Sequence, residues 1–326
     1  MSAPADVRQR LQQVARRNIF RAVELYAQGV GNRGVLTNPE VIGARRLLDF
    51  QLSRPAFRPD PETRIEQVKV RHEDGQVRGE WVERPGIATR TDAVLLYVHG
   101  GAFISGSPKS HRGLTSELSR RTGLSVFSLE YRLAPEHRFP AAADDVLRAY
   151  SWLLASGVDA SRIVVAGDSA GGHLALGLTP RAVRAGLPAP AAIIGFSPLV
   201  DPSMALSGGR ERELTHRDSF VAANAGRAAI RRYHPGVPAD HPELLLTEDD
   251  LSVLPPVLVQ ASSDEILAAD AEAYIATLRA AGGTGELRLW PRQMHVFQVA
   301  FRLSRSAREA LDDAEAFIAR YVPSPS

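Results

Sequence analysis

Apolar residues at Val7, Leu11, Val14, Ala15, Ile19, Ala22, Val23 and Tyr26 recur at steps of three and four, which predicts an amphipathic helix at the start of the chain. After the break GVGNRG, a second helical pattern covers Val41 to Leu52. From Ile65 the period falls to two, and RIEQVKVRHEDGQVRGEWVER reads as a β-hairpin turning at Asp74-Gly75. Beyond it, short apolar runs (AVLLYVHG, LSVFSLEY, RIVVAG, AAIIGFSP, PPVLVQAS, ELRLWP) alternate with helical segments. Those helices are predicted at Ala142 to Ala155, directly after RIVVAG, at Ala269 to Ala281 and near Ser306 to Tyr321. Strand-helix alternation of this kind implies an α/β fold whose mostly parallel central sheet carries helices on both faces. Residues 210–242, charged and rich in helix formers, interrupt the rhythm and read as an insertion between two strands that joins the N-terminal residues in a lid.

Composition narrows the function classes. A length of 326 residues suits one large α/β domain with an accessory element, or at most two domains. The net charge is +2, and no basic stripe or tail occurs, so no nucleic-acid partner is expected. Cysteine is absent, which removes disulfides, thiolate metal sites and cysteine nucleophiles. Charges punctuate the N-terminus where a signal peptide needs an apolar stretch, and no run is long and apolar enough for a membrane span. A cytoplasmic protein is therefore expected.

The candidate chemistry falls at strand ends. In RIVVAGDSAGGHLAL, Ser169 stands between Gly167 and Gly171, the G-x-S-x-G spacing of a nucleophile elbow. HGGAF, His99 to Phe103, follows an earlier strand, and its glycines allow amide N–H groups to point at a substrate oxygen. The N–H of Ala170 would complete such an oxyanion hole. PPVLVQASSDEIL puts Asp264 just past a strand, with Glu265 and Asp270 as rivals; Asp264 is the expected acid. His295, in PRQMHVFQ after the last strand, is the expected base, while the other histidines fall at less suitable places. No HExxH or comparable ligand spacing occurs, so neither metal nor cofactor is expected.

Taken together, YVHGGAF, EYRLAPEHRFPAAADD, AGDSAGG, SSDEIL and MHVFQ resemble the bacterial hormone-sensitive-lipase-like (family IV) carboxylesterases, α/β-hydrolases with a helical cap. The resemblance runs from about Ile65 to the C-terminus. It implies Ser169 as nucleophile, His295 as base and Asp264 as orienting acid, with an oxyanion hole from the N–H groups of Gly101, Ala102 and Ala170 and with Gly100 shaping the loop. It also implies that Arg132, Glu136 and Asp145 form a buried polar network. The implied layout is a cap at 1–62 and 203–242 on a hydrolase core at 63–202 and 243–326. Two departures stand out: Ala102 replaces a glycine common in the family, and Thr179-Pro180 should kink or end the helix after the elbow. The expected activity is hydrolysis of short- to medium-chain acyl esters through an acyl-enzyme, on a small-molecule substrate, with a homodimer as the assembly considered. Small lactones or acetylated alcohols are variants of the same chemistry, and a peptidase is a rival. A ligand receptor is another, although receptors on this fold have lost the histidine that is present here as His295.

Overall fold

The computed structural model describes residues 36–73, 75–86, 90, 92–213, 223–238, 241, 244 and 251–322. The helix expected over Val7 to Tyr26 lies outside them. Eight strands form one sheet in the order β1-β2-β4-β3-β5-β6-β7-β8. β1 (Arg64–His72) and β2 (Gly75–Glu83) make the expected hairpin in antiparallel register, and β2 pairs antiparallel with β4 (Ser125–Leu129). From β4 onward every pairing is parallel, through β3 (Val94–Val98), β5 (Ile163–Asp168), β6 (Ala192–Phe196), β7 (Val257–Ser262) and β8 (Gly285–Trp290).

Strands β3 to β7 are buried along their whole length, as continuous apolar runs require when both faces of a sheet are covered. Alternate side chains serve opposite faces. Val94, Leu96 and Val98 belong to one buried cluster with helices Ala141–Ala155, Ala170–Arg184 and Ala268–Ala280; Leu95 and Tyr97 belong to another with helices Pro108–Thr122 and Arg305–Tyr321. Full burial of each such Leu, Ile, Val or Phe is worth about 1.5–3 kcal/mol, so these two layers hold the strand ends fixed.

Three local expectations need correction. Helix Pro108–Thr122 was not predicted; it is closed by Ser107 at its start, with Pro108 in its first turn, and by the left-handed Gly123 at its end. Helix Ala170–Arg184 does not stop at Thr179-Pro180, because Pro180 lies inside it. Glu136 is not part of a buried network with Arg132 and Asp145. Those two residues do pair at 2.9 Å, with Arg148 also on Asp145 at 2.7 Å, but Glu136 is half exposed and binds Arg45.

Helix Asn38–Leu52, started by a capping box of Thr37 and Glu40, lies above the carboxyl ends of the strands. Its Arg45 is a clamp: Nε donates to Ile104 O at 2.7 Å, one Nη to Ala134 O at 2.9 Å, and both Nη groups to the Glu136 carboxylate. Between β6 and β7 the chain forms helices Ala205–Glu213 and Ala223–Tyr233.

Candidate active site

β5 ends at Asp168 and the chain turns at once into helix Ala170–Arg184. The turn is Ser169, with φ 52 and ψ −119, a conformation that costs a non-glycine residue of order 1–3 kcal/mol and holds its Oγ up from the sheet. Two glycines make the turn sterically feasible. A β-carbon on Gly171 would lie 2.0 Å from Val98 O, and one on Gly167 would lie 2.4 Å from Gly171 O. The backbone is pinned on both sides, since Ser169 N donates to Phe196 O and Leu199 N donates to Ser169 O.

His295 follows β8, with its Nε2 3.0 Å from Ser169 Oγ. Its Nδ1 lies 2.7 Å from Glu265 Oε2. Glu265 is 1% exposed, and its other oxygen accepts the Ser262 N–H at 2.9 Å. The next residue, Val296, is left-handed at φ 52, and its N–H is held by Ser197 Oγ at 3.1 Å, which fixes the loop that carries the imidazole.

Asp264, the carboxylate expected at His295, is not there. It is exposed and accepts from Arg292 N at 3.0 Å and from Ser263 Oγ at 3.0 Å. The turn after β7 sends position 264 outward and position 265 inward, and the longer glutamate then reaches the imidazole. Asp270 is engaged elsewhere. It accepts from Ser207 Oγ, and burial pushes its carboxyl up to about 6.

The loop after β3 carries three successive left-handed residues, Gly101 (φ 121), Ala102 (φ 54) and Phe103 (φ 63). Gly101 O turns back to accept from Ile104 N and Ser105 N. Among the described residues, no protein acceptor is paired with the N–H of Gly101 or of Ala102. Gly100 N is committed to Asp168 Oδ1 at 2.9 Å. Ala170 opens its helix, so its N–H belongs to the first turn, where intrahelical partners are lacking and the positive end of the helix dipole lies.

Beneath this loop is a polar cluster that sequence reasoning passed over. Asp168 Oδ1 also accepts from Tyr97 OH at 2.7 Å, and His111 Nε2 lies 3.4 Å away. Burial alone would raise the Asp168 carboxyl, but the His111 charge and the bonds from His111 and Tyr97 hold it below the usual range. His99 donates from Nδ1 to Gly100 O at 2.8 Å and stacks on Tyr131, and burial lowers it to about 3, so it stays neutral. The signal for Asp168 was its place beside Ser169 in GDSAGG. His111 gave none, because it follows no strand. Elsewhere His173 faces Leu199 O at 3.0 Å and His234 faces Val237 O at 3.2 Å, while His216 lies outside the described residues.

Gly101, Ala102, Ser169 and His295 face a cavity of about 210 Å³, walled by apolar side chains including Leu48 and Leu52 from helix Asn38–Leu52 and Ala229 from helix Ala223–Tyr233. Among the described residues there is no cluster of side chains that could hold a metal ion, and no helix is long and apolar enough to cross a membrane.

The family model for the alpha/beta hydrolase fold matches residues 95–299. The chain is 37% identical over 244 residues to an acetyl-hydrolase of Streptomyces hygroscopicus, covering 75% of this chain and 80% of that one. It is 33% identical to an esterase of Acinetobacter venetianus over 84% of this chain and 87% of the relative. A solved esterase of the bacterial hormone-sensitive lipase family superposes with a TM-score of 0.78 at 31% identity, covering 92% of this chain and 98% of that one. The chain therefore belongs to the hormone-sensitive-lipase-like esterases of the α/β-hydrolase superfamily.

Proposed function

We propose that the protein hydrolyses short- to medium-chain carboxylic esters by a serine mechanism in which Glu265, rather than Asp264, orients the base. The observation that carries this reading is the unbroken line from Ser169 Oγ to His295 Nε2 at 3.0 Å and from His295 Nδ1 to Glu265 at 2.7 Å, facing an apolar cavity. Ser169 attacks the ester carbonyl while His295 takes its proton; Glu265 keeps the imidazole in the tautomer with hydrogen on Nδ1 and stabilises the imidazolium. The N–H groups of Gly101, Ala102 and Ala170 receive the developing oxyanion, a contribution in which one donor is worth about 10²–10³ in kcat. The alcohol leaves with the proton from His295, and water activated by the same imidazole releases the acid.

Helices Asn38–Leu52 and Ala223–Tyr233 act as the cap that encloses the reacting ester. The volume of about 210 Å³ lies below the roughly 300–1,000 Å³ of pockets for drug-sized ligands, which favours small acyl groups. The acetyl-hydrolase and esterase names of relatives agree with that size range. A ligand receptor has no use for a serine held in a strained turn against a buried imidazole.

The direct test is Ser169→Ala assayed on p-nitrophenyl butyrate. A fall in kcat of about a millionfold with an unchanged circular dichroism spectrum is expected. A fluorophosphonate should add one adduct, on the peptide containing GDSAGG. A variant that keeps a tenth of the wild-type rate would refute the mechanism.

A further inference from the structure

His111 sits beside the candidate site without touching Ser169, and its surroundings define a role. The residue is 4% exposed, on helix Pro108–Thr122. Both of its ring nitrogens have polar partners. Nδ1 lies 3.2 Å from Ser107 O and 2.9 Å from Ser110 Oγ, a hydroxyl that itself lies 2.8 Å from Ser107 O. Nε2 lies 3.4 Å from Asp168 Oδ1. The buried carboxylate at Nε2 favours the charged ring, which forms an ion pair with Asp168 and keeps an N–H at Nδ1 for Ser107 O.

Asp168 in turn is built into the loop. Its Oδ1 holds Gly100 N at 2.9 Å, and a β-carbon on Gly100 would lie 2.1 Å from its Oδ2, so carboxylate and loop are in intimate contact. The next two amides are those of Gly101 and Ala102. We propose that His111, as a buried imidazolium, is a positioning residue: it keeps Asp168 ionised and in place, and Asp168 holds the Gly100 amide so that the Gly101 and Ala102 N–H groups stay aimed at the oxyanion. This inference rests on the reading of Ser169 as nucleophile.

The groups that face His111 set its titration. They are Asp168 from the end of β5, Tyr97 and His99 from β3 and the residue after it, and Asp49 from helix Asn38–Leu52. Burial lowers its pKa, but Asp168 and the Ser107 carbonyl outweigh that and leave it above the ordinary imidazole value. Its charge is therefore present below that raised value and is lost as pH climbs through it. Activity should accordingly decline on the alkaline side as His111 loses its proton.

The test compares full-length wild type with His111→Gln on p-nitrophenyl butyrate from pH 5 to 10. Glutamine keeps a neutral donor toward Asp168 and removes the charge. The expected result is a fall in kcat of about tenfold to a hundredfold, below the cost of losing an oxyanion donor outright, with KM within twofold. The alkaline decline of the wild type should be missing from the variant. An unchanged kcat, or a loss shared with KM in a profile that keeps its alkaline limb, would overturn the proposal. Fluorophosphonate labelling separates the two readings: wild type that fails to label at Ser169 refutes the nucleophile, whereas normal labelling with an indifferent His111→Gln refutes only the positioning role. Should the variant not fold, histidine nitrogen shifts of the wild type decide, since an imidazolium that persists above neutral pH supports the proposal and a neutral His111 overturns it.

Discussion

Glu265 and Asp264 are neighbours of like charge in one turn, and the burial of one against the exposure of the other divides their roles. Glu265→Gln leaves a side chain of the same shape but allows the amide to donate to Nδ1, which favours the wrong histidine tautomer. Its kcat at neutral pH should fall about 10⁴-fold, as the corresponding substitution does in the serine protease triad, while Asp264→Asn should stay within about threefold of wild type. Steady-state kinetics of the two variants checks this, and the opposite ranking would return the orienting role to Asp264. At this scale Ser169 and His295 were legible because each follows a strand and the elbow glycines mark the first. The choice between positions 264 and 265 was not, because it depends on which way the turn after β7 rotates, and both residues satisfy the same strand-end rule. His111 was illegible for a related reason: its partner Asp168 lies across the sheet, with 56 intervening residues in the chain.

At the scale of elements, helix Pro108–Thr122 escaped the hydrophobic pattern because the face it buries is largely polar. Leu114 and Leu118 are its large apolar residues, and the rest of its buried surface is Pro108, Ser110, His111, Gly113, Thr115, Ser116 and Ser119. Small side chains let the helix approach the neighbouring backbone closely. Its end signals, Ser107-Pro108 and Gly123, were present in the sequence and would have located it. Gly113 is the tightest point, where a β-carbon would lie 2.0 Å from Phe57 O, a backbone atom that cannot swing aside. Gly113→Val should therefore destabilise by about 1–3 kcal/mol, with a lower midpoint in thermal unfolding. Gly177, in helix Ala170–Arg184, has open space where a β-carbon would go. Gly177→Ala should stabilise by about 0.5–1 kcal/mol. Equal effects at the two positions would mean that helix propensity rather than contact governs both. The strands were easier to read, since the buried parallel strands are mostly apolar.

For the whole molecule, the proposed preference for short acyl groups rests on the cavity of about 210 Å³. Each methylene that fits should add up to about 0.8 kcal/mol of binding, and the gain ends where the walls formed by Leu48, Leu52 and Ala229 are reached. On a panel of p-nitrophenyl esters from acetate to palmitate, kcat/KM should peak at about four to six acyl carbons and fall sharply beyond ten. Undiminished hydrolysis of palmitate would refute the proposed preference for short acyl groups. The mostly parallel sheet and the strand-end places of Ser169 and His295 followed from strand-helix alternation, but the cavity did not, because helices Asn38–Leu52 and Ala223–Tyr233, which supply part of its wall, carry no motif. The Arg45 clamp adds a constraint on redesign. One guanidinium fastens helix Asn38–Leu52 to Ile104 O, three residues after Gly101, and Ile104 N closes the same turn on Gly101 O. Prising the roof away to admit a bulkier ester would unfasten the loop that carries the proposed oxyanion amides, so on that reading an opened enzyme would also be a disarmed one. Room for larger substrates has to come from shaving Leu48 or Leu52 with the helix left seated, a narrower route to new specificity than the size of the cap suggests.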